Sequence, residues 1–155
     1  MLALERILVP VDFSETSELA LTYGMALAAQ FGASLHVLHV LDDSLLAFYT
    51  SEALGMSLLD IRNELEKDAT TRLAAILTEE DRQRLRAVVA LRMGQASSEI
   101  IRYATEERID LIAMGTHGRG PVSHMLMGSV AEKVVRRGVC PVLTIKHPEH
   151  EFVMP

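Results

Sequence analysis

Five short apolar runs divide the chain: RILVPV at 6–11, ASLHVLHVL at 33–41, LRAVVALR at 85–92, DLIAMG at 110–115 and CPVLTIK at 140–146. Their length and their leucine and β-branched content favour strands. They are almost continuously apolar rather than alternating, the pattern of strands covered on both faces of a parallel sheet. The stretches between them repeat apolar residues every three or four positions. Strands alternating with helices predict β-α-β-α-β-α-β-α-β, a single-domain, doubly wound parallel five-stranded α/β sheet.

Ser14 is a suitable cap for a first helix that carries Glu15 and Glu18 in its first turn, directs Leu19, Tyr23, Ala26 and Leu27 inward, and stops at Gly32. A second helix is expected from about Ser51 to Thr78, with Leu54, Leu58, Ile61, Leu65, Ala69 and Leu73 on one stripe. A third runs from about Gln95 to Arg108 with Ile100, Ile101 and Ala104 inward, and a fourth ends at Arg137 before Gly138. Residues 42–52, DDSLLAFYTSE, form an irregular connection. The last nine, HPEHEFVMP, read as a loose tail, so one domain is expected over 1–147 and a short tail over 148–155.

Bulk properties narrow the function. A chain of 155 residues has room for one core, and 49% hydrophobic with 23% charged residues is ordinary for a folded domain. Net charge is −6 and the 15 Lys and Arg are scattered, Arg136-Arg137 being the only adjacent pair, which argues against nucleic acid or an anionic membrane as partner. Cys140 is the single cysteine, no leader pattern opens the chain and no apolar run approaches the roughly 20 residues of a membrane span, so a cytoplasmic protein is expected.

Right-handed crossovers with helices on both faces require the strand order to reverse, and such sheets bind ligands above the reversal at the carboxyl ends of the strands. If the order is 3-2-1-4-5, that crevice lies between Asp12, ending the first strand, and Gly115, ending the fourth. Here begins MGTHGRGPVSHMLMGSV, which holds four of the nine glycines, at 115, 118, 120 and 128. Gly115 and Gly118 suit a tight turn that exposes backbone N–H groups. Gly120-Pro121 allows a short helical turn through Val122 to Met127. Ser129-Val130-Ala131-Glu132 matches a capping box, which makes Ser129 the expected N-cap of the last helix.

A helix N-terminus facing a glycine turn is a phosphate cradle, with His117 and Arg119 the nearby groups able to add positive charge. A closed box would bring the Glu132 carboxylate close to a phosphate, so either the box is loose or a divalent cation accompanies the ligand. Two common nucleotide motifs are absent. A P-loop would need Lys-(Ser/Thr) where Pro121-Val122 stand, and the first strand ends VPVDFSETS without the glycines of a dinucleotide fingerprint.

The pattern G-x2-G-x9-G-(S/T), filled by Gly115, Gly118, Gly128 and Ser129, together with ILVPVDFSETS, LHVLHVLD, DLIAMGTHGRG and GSVAEKVVRRGVCPVLTIK, resembles the universal stress proteins over essentially the whole chain, in their ATP-binding branch. The resemblance implies an adenine nucleotide alpha hydrolase-like, flavodoxin-like three-layer sandwich. It further implies a homodimer through the last strand, Cys140 to Lys146, and ATP with Mg²⁺ or Mn²⁺ in the crevice. By position, Pro10, Val11 and Asp12 would line the adenosine side, with the Asp12 carboxylate on the ribose hydroxyls and Val40 on adenine. Met114, Gly115, Thr116 and Gly118 would approach the ribose and phosphates; Gly128, Ser129 and Val130 would hold the β- and γ-phosphates.

Competing readings stand beside these. Asp12 also suits an ordinary turn carboxylate before the helix at Ser14. His36 and His39, three apart on a strand, point to opposite faces and make a poor metal pair, and His147 and His150 lie in the tail. Cys140 reads as a small buried hydrophobe. Pro141 either blunts an edge strand or begins one that pairs with a symmetry mate. The functional classes are a dimeric nucleotide-binding sensor or switch in stress response, a weak ATP hydrolase, and a ligand-free dimeric scaffold. The crevice segments contain no lysine placed for the outer phosphates, which weighs against dedicated turnover.

Overall fold

The structure is a computed structural model that describes residues 3–42, 57–117 and 127–146. Five strands, β1 (Arg6–Pro10), β2 (Ser34–Leu41), β3 (Val88–Met93), β4 (Leu111–Gly115) and β5 (Val142–Ile145), form one sheet in the order β3-β2-β1-β4-β5. Every neighbouring pair is parallel. Helices α1 (Glu15–Phe31) and α2 (Leu58–Ala75), with the short α3 (Glu79–Arg84), join the strands on one side. Helices α4 (Ala96–Glu106) and α5 (Ser129–Arg137) pack together on the other, which completes three layers of the kind expected.

Strand periodicity divides the core. Ile7, Val9 and Val11 of the β1 segment join Leu35, Val37, Ala20 and Leu73 on the α1/α2 side, while Leu8 joins Leu38, Ile112, Met114, Ile100 and Val134 on the α4/α5 side. Ile7, Leu8 and Val9 are fully buried, each worth about 1.5–3 kcal/mol of burial. A one-residue slip of β1 would carry Asp12 into the α1/α2 core, so packing selects the register that leaves this carboxylate on the α4/α5 side.

Helix α1 begins and ends where expected, with Ser14 accepting from the Ser17 N–H and Gly32 closing the helix in a left-handed conformation (φ 64°). Of the expected apolar positions Leu19 and Leu27 pack against the core, but the other two do not. Tyr23 is 51% exposed and Ala26 is also exposed, whereas Ala20, Gly24 and Ala28 face the sheet. Small residues at every fourth position let the helix axis approach the strands more closely than the larger set would, so closeness of approach overrode side-chain size. In α2, Ala69 and Leu73 are buried but Leu58 is exposed; the helix starts after the cap at Ser57, and Leu54 lies outside the described residues.

Helix α3 is absent from the expected list because EEDRQR has no apolar period. Its signal is local: Thr78 accepts from the Asp81 N–H and donates to the Asp81 carboxylate. The third strand therefore begins at Val88, three residues later than expected, since Leu85 caps α3 and Arg86 turns through φ 46°. Residues 122–126 of the expected helical turn at 122–127, the 42–52 connection beyond residue 42 and the tail fall outside the described residues.

Candidate functional site

Between β1 and β4 the register runs Ile7↔Leu111 and Leu8↔Ile112 and goes no further. Beyond it β1 stays with β2, the Val11 N–H donating to the Leu38 carbonyl, and β4 stays with β5, the Thr116 N–H donating to the Ile145 carbonyl. Each strand follows its outer neighbour, so the sheet splits at the order reversal and opens a crevice. The resulting cavity has a volume of about 390 Å³, within the range of small-molecule sites.

Ten of the expected site residues line it. Pro10, Val11 and Asp12 come from the end of β1, Val40 from β2, Met114, Gly115 and Thr116 from β4 and its exit, and Gly128, Ser129 and Val130 from the start of α5. Gly118 lies outside the described residues. The cavity also takes in Ser17, Leu38, Ala96, Ile100, His117 and Ala131. Leu38 was legible as the residue two before Val40 on the same face. Ala96 and Ile100, four apart on α4, had no signal, because only the fold brings the start of α4 to this end of the sheet.

The Asp12 carboxylate serves the turn into α1. Its Oδ1 accepts from the Ser14 N–H (3.0 Å) and from the Ser14 hydroxyl, while its own N–H donates to Ser17 Oγ (3.3 Å). Oδ2 takes no hydrogen bond among the described residues. The turn and ligand readings of this residue are therefore compatible, since one oxygen is used and one remains.

Gly115 needs to be glycine for a reason other than turning. It is the last residue of β4, outside the left-handed region, and a Cβ there would lie 2.7 Å from Thr16 Cγ2 and 3.2 Å from the Thr16 backbone carbon. The missing side chain lets the first turn of α1 sit against β4 beside the crevice. Thr116, 2% exposed, then clamps the far side: its N–H reaches Ile145, its carbonyl accepts from the Gly128 N–H (2.6 Å), and its hydroxyl pairs with His117 Nδ1 (2.9 Å). These bonds bring 115–117 and 128–130 to one place.

The expected capping box is not formed. Gly128 is the N-cap of α5, Ser129 is its first helical residue, and no side chain caps the helix. Glu132 instead bonds Arg136 one turn on (3.0 Å), which takes its carboxylate out of the N-terminal capping position. The helix starts one residue earlier than the box requires: with Gly128 as N-cap, Glu132 is the fourth helical residue rather than the third, and its N–H bonds the Gly128 carbonyl (2.9 Å). Helix α4 likewise starts at Gln95 without a side-chain cap. Two uncapped helix starts thus contribute walls to one cavity, and each supplies N–H donors without intrahelical acceptors and a partial positive charge.

Behind α4, one turn past Ile100, Tyr103 shares a buried hydrogen bond with His36 (2.9 Å). Burial lowers the His36 pKa and raises that of Tyr103 to about 12, so both are held neutral at pH 7. His39 turns to the other face, its Nδ1 2.7 Å from the Val11 carbonyl, so the two histidines diverge as their spacing implies. Cys140 is half-buried beside the α4/α5 cluster, and burial raises its thiol pKa.

Known proteins share this architecture. Universal stress protein MJ0577 of Methanocaldococcus jannaschii is 30% identical over 153 residues, covering 92% of this chain and 94% of that one. Its solved structure superposes with a TM-score of 0.78 at 28% identity, over 94% of this chain and 98% of that one. Universal stress protein UspA from Lactobacillus plantarum superposes at 0.74 with 29% identity, over 94% and 99% of the two chains. More distant structures of the same fold include a universal stress protein in complex with cAMP, at 21% identity and TM-score 0.60 over 94% and 98% of the chains. Another is a universal stress protein from Archaeoglobus fulgidus in complex with dAMP, at 20% and 0.58 over 94% and 100%. The profile of the universal stress protein family matches residues 3–146, the span that carries the sheet, its covering helices and the crevice, and the chain belongs to that family.

Proposed function

We propose that the crevice binds an adenine nucleotide, ATP foremost, and that the protein is a nucleotide-binding switch in stress response rather than a dedicated enzyme. The observation that carries this is the gradation of chemistry along one cavity. Val40, Leu38, Ile100 and Met114 offer apolar surface for a base, Asp12 an oxygen for ribose hydroxyls, and Gly128, Ser129 and Val130 the uncapped amides of α5 for phosphate oxygens. None of the described lining side chains is a lysine or arginine, so phosphate would be held by backbone dipoles, with Mg²⁺ or Mn²⁺ neutralising its outer charges. Gly118 falls between these groups in sequence and is assigned to the same phosphate end. The complexes of related folds with cAMP and dAMP show that those proteins take adenine nucleotides, which is in keeping with this reading.

The working unit we assign is a homodimer joined through β5 in the cytoplasm, with one domain over 1–147 and a tail over 148–155. Supporting the dimer, Val139, Leu143 and Val135 leave apolar surface exposed along the β5 and α5 edge. No helix among the described residues is long and apolar enough to cross a membrane.

The test is to denature the purified protein, identify released nucleotide by mass spectrometry, and titrate the nucleotide-free protein calorimetrically with ATP, ADP, AMP and cyclic AMP, with and without Mg²⁺. Asp12→Asn is the control of choice, because Gly115→Val would collide with Thr16 and report on folding. Submicromolar to micromolar ATP binding weakened in Asp12→Asn supports the proposal. Folded protein that neither carries nor binds nucleotide at millimolar concentration overturns it and leaves a scaffold, and fast ATP turnover with Mg²⁺ would overturn the switch in favour of an enzyme. Light scattering reads the dimer.

A further inference from the structure

Phe13 follows the crevice carboxylate and adopts φ 63°. Arg86 and Arg108 share a positive φ, but both are exposed and follow helix ends, where a left-handed residue is routine. Phe13 is a half-buried aromatic between a strand and a helix start, a position where glycine or asparagine would adopt this backbone with less strain. Something in its side chain must compensate.

The ring lies on the α1/α2 side of the sheet, against that core and away from the α4/α5 wall of the crevice. Its centroid is 4.5 Å from that of His39, tilted by 42°, and the Arg72 guanidinium of α2 lies 4.1 Å over it. His39 in turn holds the Val11 carbonyl through Nδ1. One imidazole therefore restrains the residues on both sides of Asp12, by a hydrogen bond to residue 11 and a ring contact with residue 13. With its N–H on Ser17 and its Oδ1 on Ser14, Asp12 has few ways left to place its second oxygen.

We infer that Phe13 is a positioning residue for Asp12, held by His39 and Arg72 on the far face so that the left-handed turn presents the carboxylate to ribose hydroxyls in the crevice. The inference rests on the nucleotide reading above and adds the device that tunes ribose recognition. It makes α2, through Arg72, a second layer behind the binding site.

The test compares the affinities of ATP and 2′,3′-dideoxy-ATP. Wild-type protein is expected to favour ATP by about tenfold or more, the worth of a charged hydrogen bond. Phe13→Asn keeps a residue that tolerates the left-handed backbone but removes the ring. It should cut ATP affinity by about tenfold, leave dideoxy-ATP within about twofold, and add nothing further in an Asp12→Asn background. Phe13→Tyr should restore the discrimination. Arg72→Gln, on a partly exposed side chain, should lower it by about twofold to threefold and provides the reading if Phe13→Asn does not fold. Equal weakening of both nucleotides by Phe13→Asn, or unchanged discrimination in Arg72→Gln when that is the variant available, overturns the positioning role alone. Wild-type protein that binds both nucleotides equally overturns the Asp12 contact, and the role with it. Wild-type protein that binds neither overturns the nucleotide reading itself.

Discussion

The helices among the described residues begin in two ways. Helices α1, α2 and α3 start at Ser14, Ser57 and Thr78, whose hydroxyls accept from the amides of Ser17, Asp60 and Asp81. Helices α4 and α5 start at Gln95 and Gly128 with no side-chain cap. The uncapped starts supply Ala96 and Ile100 from one helix and Ser129, Val130 and Ala131 from the other to the cavity. At the opposite end of the sheet the polar groups are paired: Asp110 accepts from the Glu5 and Arg6 amides, and the Arg6 side chain donates to the Glu107 carbonyl. A capped start stabilises the free protein by about 0.5–2 kcal/mol, whereas an uncapped one keeps its donors for whatever enters. The difference separates helix starts closed by their own side chains from starts whose amides are left without a side-chain acceptor beside the cavity, although the capped start of α1 also reaches the cavity through Ser17.

The heaviest blow to this arrangement is expected from Gly115→Val. The collision with Thr16 should cost about 3 kcal/mol and lower the melting temperature by about 6–12 °C, read by calorimetry. An unchanged melting temperature would mean that α1 is not held against β4 as described.

Gly128→Asp would give α5 the kind of cap that α1, α2 and α3 own. ATP affinity should fall by at least about tenfold through charge repulsion, while stability stays level or rises by a few tenths of a kcal/mol to about 1 kcal/mol. Retained affinity would remove the start of α5 as the phosphate site. The contrast sharpens in a pair of alanine variants followed by urea unfolding: Ser14→Ala should cost about 1 kcal/mol, and Ser129→Ala no more than about 0.5 kcal/mol, since its hydroxyl caps nothing. Equal losses would erase the distinction between the two kinds of start.

The smallest effect concerns the paired interior behind α4. His36 is buried with a lowered pKa, so the unfolded chain, titrating near the ordinary value of 6.5, binds a proton before the native protein does. Stability should therefore decline as pH falls below about 6.5 and go on declining until the lower native pKa is passed. His36→Gln should flatten that decline between pH 7.5 and 5.5 in thermal melts. The difference between the two proteins reads His36 itself, and parallel curves would show that its burial is not felt.

Much of the fold was legible because its signals are local or periodic. Strand-length apolar runs located all five strands, and Ser14 and Gly32 marked the two ends of α1 within the sequence itself. What misled was the size of side chains. Leu19 and Leu27 do pack against the core, but Tyr23 and Ala26 are exposed, and Ala20, Gly24 and Ala28 take the buried centre of the helix face, where small side chains let the helix come close to the strands. The S-x-x-E pattern at 129–132 misled because the helix begins one residue early: Gly128 is the N-cap, so Ser129 is already helical and Glu132 falls one position past the place a capping box needs.

The sequence by itself determined the alternation of strands and helices and the two segments that carry Asp12 and the glycine pattern, whereas the strand order that sets β1 beside β4 came from the fold. Only the tertiary structure decided that Ala96 and Ile100 share that crevice, that Gly115 serves the approach of α1, and that Phe13 is held from behind by His39 and Arg72. These depend on contacts between residues far apart in the chain. Helical or strand periodicity tells which way a side chain faces within its own element, but not which neighbour it will meet there.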